Sequence, residues 1–274
     1  MYQDSVEKPK DRSRFRKYWG TEYFILKRKI KWLGDTNKYA HDRKSDMCPY
    51  SIVIHKSFLL RPLKDVDMIL QHNKITNLRL AIENIDGITI RPGETFSIWK
   101  LVGRPTSRKG YLDGLVLHNG KISKGVGGGL CQLGNLLYWM ALHTDLDVTE
   151  RWRHGFDVFP DINRKIPFAC GATLSYNYVD LQLTNNTPHT YRIALWLDDE
   201  YLNGEIKCSE QITHTFEVVE TDHLIKQQWW GGYTRHNKIW KRKMSSDGDF
   251  ISEELVSENH AIMMYNPLLQ ESKS

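Results

Sequence analysis

Apolar residues recur at helical spacing in three stretches of the chain, and most of the remaining patterned segments read as strands. Between residues 14 and 33, Phe15, Tyr18, Trp19, Ile25, Leu26, Ile30 and Leu33 fall roughly on one side of a helix whose other side is Lys and Arg. Ile75, Leu78, Leu80, Ala81, Ile82 and Ile85 predict a second helix over 73–85, closed by Asp86-Gly87. Leu133, Leu136, Leu137, Met140 and Ala141 predict a third, buried helix over about 131–143. Strands are predicted at 51–56, 94–101, 147–151, 173–184, 190–197, 204–208 and 213–220, with turns at 91–94, 185–188 and 198–200. The stretch 104–113 reads as a loop, and Asn119-Gly120 as a tight hairpin turn. A last hairpin joins 238–244 to 250–256 through Asp247-Gly248. Helices crowd the first half and antiparallel strands the second, so the expected class is α+β, with the third helix packed on a mostly antiparallel sheet. The simplest organisation is an N-terminal extension over 1–45 and one domain over 46–274.

Composition adds little to this picture until charge is placed along the chain. With 40% hydrophobic and 26% charged residues over 274 positions, the protein can bury one large core or two modest ones, and global disorder is excluded. The net charge of +5 is uneven: residues 1–44 hold thirteen Lys and Arg against six acids, a local +7 that leaves −2 for the rest. A basic amphipathic helix over 14–33 fits either an anionic membrane surface or a seat on the protein's own core. No nucleic-acid motif accompanies the charge, so nucleic acid is not an expected partner. Phe24-Ile25-Leu26 is too short for a secretory h-region, and no run nears the roughly 18 apolar residues of a spanning helix. On these grounds the expected location is the cytoplasm or the inner face of the membrane.

The four cysteines, Cys48, Cys131, Cys170 and Cys208, are widely spaced with no CxxC pair, so neither a metal site, a disulfide framework nor a cofactor is expected. Cys131 stands out. It follows Gly127-Gly128-Gly129-Leu130 and opens the third helix, where free N–H groups and the helix dipole favour a thiolate. The glycines would let a substrate backbone approach, and the N–H groups of Cys131 and Gln132, or the Gln132 amide, would serve as oxyanion donors. The competing reading is a buried structural cysteine. His154, 23 residues on and just after a predicted strand, is the candidate general base, or else a loop histidine beside Arg151-Trp152-Arg153. Cysteine on a helix followed by histidine on a strand is the order of papain-like hydrolases, a likeness of arrangement only. Asp180, amid apolar strand residues, would orient the imidazole, with Asp157 as its rival. Trp229-Trp230-Gly231-Gly232-Tyr233 reads as buried hairpin aromatics or as an exposed platform for a glycan or peptide.

Several motifs together carry a family resemblance. Pro92-Gly93-Glu94-Thr95-Phe96-Ser97, Gly110-Tyr111, Gly127-Gly128-Gly129-Leu130-Cys131-Gln132 and Glu150-Arg151 with His154 resemble the VanW family. Cys170-Gly171-Ala172-Thr173, Asp180-Leu181 and the stretch from Asn259 to Pro267 extend the match toward its vancomycin-resistance-associated members. The resemblance implies bacterial cell-envelope biology, with peptidoglycan stem peptides or their precursors as partner. It also implies cysteine-dependent L,D-transpeptidase chemistry, with Cys131 as the nucleophile that forms the acyl-enzyme. Glu94 and Ser97, inside the first motif, would line the cleft or simply cap its turn.

Overall fold

The computed structural model describes residues 13–43, 47–60, 67–118, 120–158, 165–176 and 179–269. The chain opens with α1 (Arg14–Leu33), β1 (Lys38–Tyr39), β2 (Tyr50–Phe58) and α2 (Met68–Ile85). Next come β3 (Thr89–Ile90), β4 (Glu94–Ser97), α3 (Ile98–Val102), the hairpin β5 (Asp113–His118) and β6 (Lys121–Val126), and α4 (Cys131–Ala141). Two short strands, β7 (Asp147–Glu150) and β8 (Phe156–Asp157), precede β9 (Gln182–Thr184), β10 (Tyr191–Leu197) and β11 (Tyr201–Cys208). The chain then runs through three long strands, β12 (His214–Gln227), β13 (Tyr233–Ser245) and β14 (Phe250–Met263).

The strands form sheets in the orders β1-β4-β9-β7, β2-β11-β10-β3 and β12-β13-β14-β8, beside the β5-β6 hairpin. Pairing is antiparallel except where β1 joins β4 and β8 joins β14. The α+β class holds, and the cysteine-bearing helix α4 does pack on an antiparallel sheet, against β2 and β11. Leu133, Leu136, Leu137, Met140 and Ala141 are all buried there, beside Leu78, Ala81, Ile82 and Ile85 of α2. Asn77 of α2 is fully buried with its amide fully used: it donates to the carbonyls of Leu112 and Gly128 and accepts the Leu112 N–H.

Several segments depart from the pattern. The predicted strand 94–101 ends at Ser97, whose Oγ accepts the Lys100 N–H at 3.1 Å and starts α3. Residues 173–176 and 179–181 are mostly irregular, with one bridge between Ser175 and Val179, and regular pairing begins only at Gln182. Of the predicted Asn-Gly turn, Asn119 lies outside the described residues, as does Tyr178. Trp229 is 93% exposed in the turn between β12 and β13 while Trp230 and Tyr233 are half-buried, so the reading of buried hairpin aromatics fails for Trp229.

Helix α1, capped by Ser13, seats on the domain mainly through polar contacts. Arg28 forks onto both carboxylate oxygens of Glu150, and Arg104 reaches Glu22 at 2.7 Å. The Lys100 ammonium lies over the rings of Trp32 and Tyr39. Of the seven apolar positions predicted to share one side, Ile25 alone is buried and the other six face solvent. Among the described residues, no helix is long and apolar enough to cross a membrane.

Candidate functional site

The glycine run before α4 turns the chain through two left-handed positions, Gly127 (φ +75°) and Gly129 (φ +93°). The space that missing side chains leave here is taken by the protein itself. A Cβ on Gly128 would lie 2.2 Å from the carbonyl carbon of Gly114, and one on Gly129 would strike the Lys74 side chain. The glycines therefore serve close packing of the protein's own loops, which corrects the expectation that they admit a substrate backbone.

Cys131 is the first residue of α4. As a residue it keeps some accessible surface, but its thiol is tucked against the irregular segment that crosses the helix start. The sulfur accepts the Leu174 N–H at 3.4 Å and donates to the Leu174 carbonyl at 3.8 Å. Burial pushes the thiol above its ordinary pKa; the N–H groups of Leu174 and of Cys131 itself pull the other way and lose. The expected depression of its pKa at the helix N-terminus is thus reversed, because desolvation outweighs the amide donors. The proposed oxyanion donors on Gln132 are also committed. Its N–H bonds the Gly129 carbonyl at 3.0 Å, and its side-chain amide reaches Ser57 Oγ at 3.0 Å and the Phe58 carbonyl at 2.7 Å. Gln132 is a bolt between α4 and β2.

The segment above the sulfur is itself clamped. Arg151 donates through Nε to the Gly171 carbonyl at 2.9 Å and through Nη2 to the Ala169 carbonyl, while its guanidinium stacks on Tyr138. Asn135 accepts the Ala172 N–H at 2.8 Å and fills the space a Cβ on Gly171 would occupy. The Thr173 N–H bonds the Trp152 carbonyl at 2.8 Å. Residues 169–174 thus form a strap held by α4 on one side and by the 151–152 chain on the other. The cysteine and the histidine-bearing loop meet this strap separately.

His154 is half-buried between β7 and β8. Burial, then the neighbouring Arg153, holds its imidazole below the usual histidine pKa and hence neutral at neutral pH. Among the described residues it makes no hydrogen bond to Cys131 or to either candidate carboxylate. Asp157 instead faces Tyr265 at 2.9 Å and Arg235 at 3.4 Å.

Asp180 is wholly buried and belongs to a different cluster. It accepts from Ser97 Oγ at 2.6 Å, the Trp99 N–H at 3.2 Å, the Leu181 N–H at 2.9 Å and Gln182 Nε2 at 3.2 Å. Burial pushes its carboxyl up to about 6, against the pull of Ser97 and Gln182. The assignment of Asp180 as the group that orients His154 is therefore corrected: it joins α3 to β9. Glu94 accepts the Arg91 N–H at 2.9 Å and caps its own turn, while Ser97 caps α3. The predicted triad is not hydrogen-bonded together, whereas Ser97 and Asp180, from two separate motifs, are. Sequence reading missed the strap, Asn135 and the clamping role of Arg151, although the Cys170-Gly171-Ala172-Thr173 motif marked the place. Among the described residues, no group of three or more His, Cys, Asp or Glu is placed to hold a metal ion.

The family model described as "VanW like protein" matches residues 73–207, which contain the cysteine, the strap and the Asp180 cluster. The chain is 33% identical over 229 residues to the vancomycin B-type resistance protein VanW of Enterococcus faecalis, covering 83% of this chain and 82% of that protein. It is 31% identical over 112 residues to the uncharacterized protein YoaR of Bacillus subtilis, covering 40% of this chain and 34% of that protein. No solved structure matches.

Proposed function

This chain belongs to the VanW family, and from that premise we propose that it works in the cell envelope as a cysteine-dependent acyl transferase on peptidoglycan stem peptides or their precursors. The name of its enterococcal relative ties that protein to vancomycin resistance, and we extend the same setting to this chain. The observation that carries the chemistry is the pairing of the Cys131 sulfur with both the N–H and the C=O of Leu174. A donor peptide that takes Leu174's place would lie alongside the sulfur.

In the reaction, His154 takes the Cys131 proton and the thiolate attacks the carbonyl carbon between the third and fourth stem residues. The C–N bond breaks, His154 returns the proton to the leaving amine, and the terminal D-residue departs. An acceptor amine then attacks the thioester, forms the new amide and restores the thiol. A neutral imidazole is the form a base requires, and burial favours that form at His154. The closed strap requires that residues 169–174 lift before the two groups meet.

Intact-protein mass spectrometry after incubation with a stem tetrapeptide tests this reading. The expected result is a tripeptidyl adduct with release of the terminal residue, absent in Cys131→Ala and formed roughly a hundredfold more slowly in His154→Gln. Wild-type protein that stays unmodified across pH 6–9 would sink it. A second reading, a non-catalytic accessory protein, is favoured by the committed donors of Gln132 and the filled spaces at Gly128 and Gly129. Tetrapeptide binding that survives Cys131→Ala with no adduct in the wild type would select it.

A further inference from the structure

Most of the large apolar side chains of helix α1 do not face the domain. Its contacts with the domain are made by Glu22, Ile25, Arg28 and Trp32, which recur every three or four residues along one side. At about 100° per residue, Phe15, Trp19, Leu26, Ile30 and Leu33 share a different arc, the one that faces solvent. They are 74%, 57%, 58%, 60% and 88% exposed. Tyr23, also exposed, borders this arc, and the Trp19 ring packs against those of Phe15 and Tyr18. Arg16, Lys27 and Lys31 are exposed on the next arc round. A ridge of large apolar side chains this continuous is not what a monomer's surface ordinarily presents to water.

We propose that the outward face of α1 docks on an anionic lipid surface, with the helix lying in the plane of the headgroups. The observation that selects lipid over a protein groove is the order of the arcs. The ridge lies about a quarter turn from the domain contacts, and Arg16, Lys27 and Lys31 follow it on the side away from the domain, so a lipid surface there meets apolar side chains and cations together. The net +7 of residues 1–44 against −2 for the rest concentrates positive charge in the part of the sequence that holds this helix. Arg28–Glu150 and Arg104–Glu22 would hold the domain to the docked helix without using any residue of the apolar ridge. This inference does not depend on the acyl-transfer reading, since neither Cys131 nor His154 enters it.

Sedimentation of the full chain with sucrose-loaded vesicles tests it. One set would be pure phosphatidylcholine and the other would hold about a third phosphatidylglycerol. The expected result is co-sedimentation with the anionic vesicles alone, weakening steeply between low and physiological salt. Lys27→Gln with Lys31→Gln should lower partitioning about 30-fold, and Trp19→Ser with Leu26→Ser should abolish it. All four side chains are exposed, so both variants should keep the wild-type melting temperature, which is measured alongside. No pelleting of wild type at low salt, equal pelleting with both lipids, or binding untouched by either double variant would each overturn the proposal. So would a concentration-dependent dimer that the Trp19→Ser, Leu26→Ser variant disperses while wild type ignores vesicles, since the ridge would then be a contact between copies.

Discussion

Helices α4 and α1 are both rich in aliphatic and aromatic residues, yet the protein uses them in opposite ways. In α4 the apolar side chains are sealed between β2, β11 and α2, and even the gaps beside the preceding glycines are filled. In α1 most of the apolar side chains look outward, and the buried Ile25, the half-buried Arg28–Glu150 pair and the more exposed Arg104–Glu22 pair do the holding. Periodicity identifies that a helix has an apolar side; the partners it meets decide whether that side faces in or out.

The contrast can be broken by substitution. The largest losses are expected around α4. Gly128→Ala sets a methyl against the Gly114 backbone, which cannot swing away, and should cost about 3 kcal/mol; Leu137→Ala should cost about 2–5 kcal/mol by cavity formation. Urea midpoints read both, and a loss under about 1 kcal/mol in each would show that this region yields more easily than its packing indicates.

Asp180, beneath the Glu150 that grips α1, gives the next effect. Its native value of about 6 lies above an unfolded value of about 3.9, so the folded protein holds this proton more tightly. Its contribution is therefore fully present below about pH 4 and is lost as pH rises through 6. Between pH 4.5 and 7.5, the stability of wild type relative to Asp180→Asn should fall by about 2 kcal/mol. A pH-independent gap between the two proteins would refute the assignment.

The strap offers a kinetic comparison. Wild-type Cys131 should alkylate slowly at pH 7.5, because its thiol is held protonated and covered. Arg151→Ala removes two hydrogen bonds from the strap and should speed labelling about 30-fold, equivalent to about 2 kcal/mol of easier local opening. Unchanged labelling would mean that something other than the strap covers the sulfur. The smallest effect belongs to α1, where Leu26→Ala and Ile30→Ala should each change stability by less than about 0.5 kcal/mol. A loss above about 1 kcal/mol would reveal that the ridge is covered in the free protein.

Much of the framework was legible because it rests on local signals. The spacing of Leu133, Leu136, Leu137, Met140 and Ala141 placed α4 on its sheet, and Asp86-Gly87 marked the end of α2. What escaped depends on distant partners. Ser97, which caps α3 locally, also donates to Asp180, 83 positions away, and no local pattern announces that partner. The thiol of Cys131 is pushed up by burial under a segment 43 positions on, whose Leu174 N–H only partly offsets the effect, so the favourable helix start misled. The outward roll of α1 follows from Glu150 and Arg104, neither of which the helix sequence contains. The glycine run was located correctly, but its purpose was hidden because Gly114 and Lys74 occupy the room it makes.

Glu150 and Arg151 are neighbours in the chain with opposite duties. The first grips the N-terminal helix, and the second latches two carbonyls of the strap whose Leu174 meets the sulfur. Successive side chains of an extended backbone point to opposite sides, so one peptide unit joins an anchor to a latch. The mooring of the N-terminal helix and the clamp on the roof over the cysteine are therefore adjacent residues, with nothing between them along the chain.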